Sequence, residues 1–299
     1  SIYITGSNAK MLSREIATTL GGRFWNKDVY PYSFAEYLNA RNIILSKNWM
    51  YGKQAAEVSK AFNDYFLYGG FPELTDVIAK RVWLNDIYSK IFFSDLIVRN
   101  KVRNEEALGL LVRRLAENVK QPVSYTRLAN LISSIGIKIS KATVIEFIRY
   151  LKESCLIFPI ENYAAKFAER NSNMKHYFID NGLLSIFLLD GNTSLLENIV
   201  AIHLYKRYGA QLYFYNQNIE VDFIIPEAKT AIQVSYSLMD ETTCRREVEG
   251  LIKLNRVFPM DNMCIITRDE ERIITHESGV SIHVIPVWKW LLEEEPLQT

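Results

Sequence analysis

The sequence predicts a mixed α/β protein with large α-helical parts, and two observations indicate this class. Between about residues 29 and 170, apolar residues recur at helical spacing in segments separated by glycine, proline and serine. From about residue 175 onward, short β-branched and aromatic runs alternate with amphipathic helical patterns. Such alternation is typical of a sheet with helices packed on it. We therefore expect a helical middle followed by an α/β unit.

Two segments precede the middle of the chain. Residues 1–28 show a strand pattern at residues 2–5, then a helical pattern that Gly21 and Gly22 stop. Residues 29–100 read as helical, with a helix start in "PYSFAEYLNAR", a break at "YGGFPEL" and a long amphipathic helix in "WLNDIYSKIFFSDLIVRN". We expect each segment to be a separate domain.

Residues 101–172 are predicted to form a winged helix. Leucines and Val112 between residues 108 and 115 give one apolar helix stripe, and Ser124 and Ser140 are suited to cap two further helices. The strand-like "CLIFPIENY" follows as a wing. Three short helices followed by a hairpin give the helix-turn-helix arrangement of this fold.

The same region carries a local positive charge. Residues 99–170 contain 13 Lys and Arg against 7 Asp and Glu, a balance of +6 in a chain whose net charge is only +1. Side chains placed to contact DNA phosphates or a major groove are Lys138, Lys141, Thr143 and Arg149. Winged helices also serve as protein-interaction modules, so a protein partner stays open.

Residues 173–299 are predicted to form an α/β domain with a central three-strand meander, "QLYFYNQ", "EVDFIIP" and "TAIQVSYSL". Glu197 lies on a preceding helix, Asp222 on the second meander strand with Glu220 on the same face, and Gln233 on the third. An acid on a helix followed by such residues on adjacent strands is the PD-(D/E)xK nuclease pattern. Its oxygen ligands hold Mg²⁺, with Asp222 and Glu220 as the candidate metal ligands here.

The pattern departs from that of an active nuclease. Ser235 stands where the catalytic lysine belongs, and Gln233 is neutral. Lys229 is four residues from Gln233, and Arg245 or Arg246 could supply a cation from the next helix. We therefore interpret Glu197, Asp222 and Gln233 as a vestigial catalytic site. The alternative is that Glu220 and Asp222 are solvated acids at a strand end and that Glu197 is an acid near the start of a helix, none of them with a catalytic role.

The remaining composition is uninformative about partners. Three distant cysteines, Cys155, Cys244 and Cys264, form no CxxC metal site and favour a cytoplasmic location. No apolar run is long enough for a membrane span, so no membrane contact is expected.

The whole chain resembles the prokaryotic AAA-type ATPases that carry a C-terminal PD-(D/E)xK-like domain, often described as of unknown function. The phrases that carry the resemblance are "ITGSNAKMLSREIATTLGGR", "VYPYSFAEYL", "YFLYGGFPEL", "IYSKIFFSDLIVR", "KHYFIDNGLL", "LLENIVAIHLYKRYG", "EVDFII", "IQVSYSL" and "IPVWKWLL". The resemblance implies that residues 1–28 end an ATPase core, with Asn8 and Arg23 sensing nucleotide, and that residues 29–100 form its helical lid.

The resemblance also implies Walker A and Walker B segments, which this sequence does not contain. We expect a C-terminal portion of an AAA-type ATPase that binds ATP only in an intact protein. Its nuclease-like domain would be a degenerate docking platform for DNA or protein. The alternatives are an active Mg²⁺-dependent nuclease and a non-enzymatic protein-binding adaptor, and the oligomeric state is left open.

Overall fold

The structure is a computed structural model that describes residue 25, residues 27–166, residue 170 and residues 172–293. Over this part of the chain the fold is mixed α/β, as predicted, with ten α-helices and one nine-stranded sheet. The predicted first strand, Asn8 and Arg23 lie outside the described residues. No helix in the described ranges is long and apolar enough to cross a membrane.

The helices and strands follow in mixed order along the chain. The helices are α1 (Phe34–Ala40), α2 (Lys53–Tyr68), α3 (Lys80–Lys90), α4 (Glu105–Glu117), α5 (Tyr125–Ser133), α6 (Lys141–Glu153), α7 (Asn181–Ser185), α8 (Asn192–Tyr208), α9 (Glu241–Val257) and α10 (Val287–Glu293). The strands are β1 (Val123–Ser124), β2 (Ile157–Asn162), β3 (Asn173–Phe178), β4 (Tyr213–Asn216), β5 (Glu220–Ile225), β6 (Thr230–Val234), β7 (Asn262–Thr267), β8 (Arg272–Thr275) and β9 (Ser281–Pro286).

The helical part begins with a reciprocal cap. The Ser33 hydroxyl accepts from the Glu36 backbone N–H, and the Glu36 carboxylate accepts from the Ser33 N–H, which fixes the start of α1. Helix α3 continues into a π-helical stretch, Ile91–Val98, so the predicted long helix changes its hydrogen-bond pattern halfway.

The region between α4 and β3 has the predicted local structure. Ser124 caps α5 and Ser140 caps α6, each through a side-chain oxygen that accepts a backbone N–H. The predicted apolar stripe of α4 is fully buried. Strand β3 lies between β1 and β2 and is antiparallel to both, so three helices pack beside the β1-β3-β2 end of the sheet.

One sheet runs through the second half of the chain in the order β1-β3-β2-β4-β5-β6-β7-β9-β8. Strands β4, β5 and β6 form the predicted antiparallel meander. Strand β8 was not predicted, because its exposed "RIIT" run shows no buried face. Strand β2 also pairs with β4 in parallel, and the predicted domain boundary at residues 172/173 lies between the paired strands β2 and β3.

A buried polar cluster joins the helical part to the α/β part. Asp180, which caps α7, accepts backbone N–H groups from Gly182, Leu183 and the distant Gly70, the last at 2.7 Å. Asn181 donates to the carbonyl oxygens of Phe66 and Leu195 at 3.0 Å each. Buried polar groups persist only when their hydrogen bonds are satisfied, so these bonds specify how the two parts pack.

The glycines of "YGGFPEL" permit this approach. Gly69 has φ +79°, and a Cβ built there would lie 2.0 Å from the Asp180 Oδ1 atom. At Gly70 a Cβ would lie 2.3 Å from the Tyr32 carbonyl oxygen. The motif is therefore a contact site for Asp180 and for the segment that precedes α1.

We expect Gly69→Ala to lower the free energy of unfolding by about 4 kcal/mol or more, since it adds a backbone strain and a clash with a buried carboxylate. Gly136→Ala is the matched control, because Gly136 also has positive φ but has open space around it. That control should cost only about 1 kcal/mol. Urea unfolding of both variants measures the difference, and equal losses would contradict the steric role of Asp180.

His176 on β3 faces away from the acidic residues and is almost fully buried. Neither of its ring nitrogens has a hydrogen-bond partner among the described residues. Burial, together with the Lys152 ammonium, lowers the pKa of His176 to about 4. The neutral ring is therefore required by the folded state.

Because the pKa of His176 is lower in the folded state than in the unfolded chain, its contribution to stability is present above pH 6.5 and is lost as pH falls toward 4. We expect the loss to approach about 3 kcal/mol and to disappear in His176→Phe. Urea unfolding between neutral and acidic pH measures it. His283→Phe, at an exposed position of β9, should keep the wild-type pH dependence.

Candidate functional site

The structure brings the predicted acidic residues together. Asp222 lies on β5 and Gln233 on the adjacent antiparallel strand β6. Glu197 lies in α8 and is only 4% exposed. Glu197 and Asp222 meet at a residue that sequence reasoning missed, Lys175 of β3, and Gln233 joins them through the Asp222 backbone N–H.

A β-bulge in β5 directs Asp222 toward this site. Tyr213 pairs with Ile224 and Tyr215 with Val221, so a step of two residues on β4 faces three on β5. The extra residue allows Asp222, which bonds to Lys175, and its neighbour Phe223, which packs on Tyr177, to face the same side of the sheet. Bulges commonly re-aim a side chain in this way.

Lys175 is completely buried and bridges the two acids. Its Nζ atom lies 3.1 Å from Glu197 Oε1 and 3.0 Å from Asp222 Oδ1. The Tyr177 hydroxyl donates to the same Glu197 oxygen at 2.7 Å. One ammonium therefore serves both carboxylates. Glu197 is buried in the second turn of α8 and does not lie at the helix start, as the alternative interpretation had it.

The electrostatics follow from burial and from the charge count of one cation to two carboxylates. Burial alone would lower the pKa of Lys175, but Glu197 and Asp222 raise it above its usual value. Burial, followed by the like charge of Asp222, raises the pKa of Glu197 to about 7. The ammonium therefore stays charged, while burial and the neighbouring carboxylate oppose the negative charge of Glu197.

The Gln233 side chain forms hydrogen bonds with the backbone of the neighbouring strand β5. Its Oε1 atom accepts from the Asp222 N–H at 2.9 Å, and its Nε2 atom donates to the Glu220 carbonyl at 3.1 Å. Asp222 in turn accepts the Val234 N–H through Oδ2. Beyond the last paired residues, Phe223 and Ile232, these side chains take over the cross-strand hydrogen bonds between β5 and β6.

The residue at the lysine position, Ser235, and two of the candidate cations, Lys229 and Arg246, have other partners. Ser235 donates its hydroxyl to the Ser237 carbonyl. Lys229 lies in the β5–β6 turn, 3.5 Å from an Asp261 oxygen. Arg246 pairs with Glu247 at 2.6 Å, at the edge of the site where Asp222 and Glu220 raise its pKa further.

The donor set does not fit a divalent ion between Glu197 and Asp222. The Lys175 ammonium takes the facing oxygens of both carboxylates, and the Gln233 oxygen is bonded to backbone. Glu220 is exposed at the start of β5. Within the described ranges, no group of three or more His, Cys, Asp or Glu side chains is arranged to hold a metal. Mg²⁺ coordination needs several oxygens around one open position.

The four residues predicted to contact DNA differ in what they contact. Lys138 and Lys141 are exposed at the start of α6. The Thr143 N–H and hydroxyl bond to the Ser140 cap. Arg149 lies near Glu146 and Glu153 and over the Tyr150 ring, so its charge is largely balanced by its own helix.

The sequence contains an indication that Lys175 has a buried anionic partner. Lys175 is the lone charged side chain in the apolar run "MKHYFI", on a strand that reads as buried. A lysine on a buried strand requires an anionic partner, because an isolated ammonium is too costly to desolvate. The partners themselves lie 22 and 47 residues away, which only the fold resolves.

Comparison with known proteins places the chain in a family. Residues 1–38 match an AAA domain, and residues 59–194 match a domain of unknown function (DUF8612). An uncharacterized protein of Methanocaldococcus jannaschii is 32% identical over 306 aligned positions, which cover 98% of this chain and 69% of that protein. An uncharacterized protein of Haemophilus influenzae is 32% identical, with 98% and 71% covered. No solved structure matches.

The chain belongs to the family that includes these two uncharacterized proteins. The predicted AAA resemblance at the start of the chain is confirmed by the AAA-domain match. The second match, over residues 59–194, contains both Gly70 and Asp180, and so includes both sides of the buried cluster that joins the two halves. The nuclease-like, winged-helix and DNA-binding assignments stay predictions.

We expect Gln233→Glu, which restores the acid of the nuclease pattern, to lower the free energy of unfolding by about 3 kcal/mol. The new carboxylate would face the Glu220 carbonyl without a proton to donate and would add negative charge beside Asp222. Gln217→Glu, at an exposed position, should change little. Chemical denaturation measures both, and a neutral Gln233→Glu would show that this amide is not required.

Proposed function

We propose that this chain is the docking part of an AAA-type ATPase, in which a winged helix binds duplex DNA and the PD-(D/E)xK-like unit is a non-catalytic support. The observation that carries the non-catalytic assignment is the fully buried Lys175 ammonium between Glu197 and Asp222. A reacting phosphate and its attacking water need an open position at such a site. Here the lysine fills it.

The winged-helix assignment is supported by the order α4-β1-α5-α6-β2-β3 and by the β1-β3-β2 arrangement. Three helices followed by a hairpin match the pattern expected of this fold, with α6 as the helix that would approach DNA. Lys138 and Lys141 lie at its exposed start, where they can neutralise phosphates.

A cavity of about 620 Å³ beside α5 offers a second phosphate contact. It is bounded by the start of α5, the end of β2 and the β4–β5 turn. Its described lining contains Arg127, Lys166 and several amide side chains, and no carboxylate. This chemistry suits the backbone of a nucleic acid, since most protein–DNA hydrogen bonds go to phosphate and sugar.

The Mg²⁺-dependent nuclease is the second candidate, because Lys175 provides the cation beside Asp222 that this function requires. The burial of Lys175 disfavours it, since a catalytic lysine must reach water or substrate. Mg²⁺-dependent DNA cleavage that is lost in Asp222→Ala would replace our proposal with this one.

We expect the chain to bind a short DNA duplex with an affinity that falls steeply as salt rises, and the variant Lys138→Ala/Lys141→Ala to bind more weakly. Each lost phosphate contact should reduce the slope of log K against log salt by about 1. Fluorescence anisotropy between about 50 and 200 mM salt measures this slope.

Arg149→Ala is the matched control on the same helix. Because Arg149 is balanced by Glu146 and Glu153, its loss should leave the slope unchanged. An affinity that is independent of salt, or absent, would contradict DNA docking and favour the protein-binding adaptor.

A further inference from the structure

We propose that the cavity beside α5 and a groove that continues from it bind single-stranded nucleic acid, with Arg127 on the phosphate where the two meet. The inference rests on the proposed docking function and deepens it, because it names the form of nucleic acid that the α5 side takes. The exposed start of α6, with Lys138 and Lys141, is the contact proposed for a duplex, so the two surfaces can be tested independently.

The cavity and the groove form one path along α5. Ser124 and Arg127, at the start of this helix, line the cavity of about 620 Å³. The same two residues line the groove, a hollow of about 400 Å³ that continues past Asn130 to Ser134. The nine residues of α5 span about 13 Å, which is the length of about four stacked nucleotides at roughly 3.4 Å each. The path is therefore long enough for a short segment of one strand.

The wall of the cavity opposite α5 is fixed by the buried side chain of Asn162. Its Oδ1 atom accepts the N–H groups of Asn216 and Ala164 at 3.0 and 3.1 Å, and its Nδ2 atom donates to the Asn216 carbonyl oxygen at 2.6 Å. These bonds hold the end of β2 against the β4–β5 turn. The wall is therefore formed by the fold itself, and a ligand does not have to order it.

The lining offers cations and amides that no other described residue uses. Arg127 and Lys166 form no ion pair within the described ranges, and the side-chain amides of Asn216 and Gln217 form no hydrogen bond there. Arginine and lysine neutralise phosphates, and side-chain amides pair with the edges of bases. Pro122 and two alanines add apolar surface, which suits the face of a sugar or a base. Phosphate, polar edge and apolar face together are the chemistry of a nucleotide.

The shape of the site favours a single strand over a duplex. A volume of about 620 Å³ lies within the range of roughly 300–1,000 Å³ that is usual for small-molecule sites. The bases of a single strand can be splayed out into such a cavity, whereas the bases of a duplex are held in the stack. Among the described residues no aromatic side chain lines the cavity or the groove. Binding therefore depends on charge and on amide contacts instead of ring stacking.

The test compares a blunt DNA duplex with the same duplex carrying a single-stranded tail of about five nucleotides at its 5′ or its 3′ end. Fluorescence anisotropy on the full chain measures the affinities. We expect one of the tails to strengthen binding about tenfold, the effect of one or two hydrogen bonds to a charged phosphate. Arg127→Gln, at an exposed position, should remove this gain, so that tailed and blunt duplexes bind alike. Arg149→Ala removes a charge outside the cavity and should keep the gain.

Three outcomes would overturn the proposal. The first is equal binding of blunt and tailed duplexes by the wild-type chain, and the second is a gain that Arg127→Gln retains. The third is competition by free dAMP that matches that of a single-stranded oligonucleotide, which would mean that the cavity takes a free nucleotide. The variant Lys138→Ala/Lys141→Ala separates this proposal from duplex docking. If it binds the blunt duplex as wild type does, docking through α6 fails, while a gain that depends on Arg127 still supports the single-strand site.

Discussion

A lysine ammonium held out of water between two carboxylates is the constraint on which the α/β half depends. Burying any one of these charges alone would cost several kcal/mol, so β3, α8 and β5 must place Lys175, Glu197 and Asp222 within hydrogen-bond distance of each other. The β-bulge in β5 and the bonds of Gln233 to the backbone of Glu220 and Asp222 follow from this requirement. The arrangement is fixed from three separate elements, so it specifies the packing as well as contributing to stability.

Strand β3 and the turn after it connect the three parts of the described chain. Lys175 faces the acids, His176 is buried on the opposite face, and Asp180 binds the backbone of Gly70 in the helical part. Because each of these three positions carries a different buried polar group, we expect them to tolerate few substitutions. One contact links two of the phrases that carry the family resemblance. Asp180, in "KHYFIDNGLL", accepts the backbone N–H of Gly70, in "YFLYGGFPEL". The contact between these phrases is a packing interaction and does not indicate a catalytic activity.

A lysine holds together the acids that the sequence pattern predicts as a metal site. The helix acid and the strand aspartate keep their positions, while the neutral Gln233 repairs the β5–β6 ladder and Ser235 bonds to a nearby carbonyl. A cation supplied by the chain removes the open position that hydrolysis needs.

The sequence alone determined the helices and their caps, because Ser33, Ser124 and Ser140 act on residues three positions away and apolar stripes need only helical spacing. It also placed Asp222 and Gln233 on neighbouring strands, since a meander is a local structure. It did not predict that the short exposed run at β8 is a strand, nor that Arg149 is balanced by Glu146 and Glu153. Only the tertiary structure decided which cation meets the acids. Lys175 is 47 residues from Asp222 and reaches it through a sheet whose order the local pattern does not encode. Burial then made that lysine a permanent partner of both carboxylates.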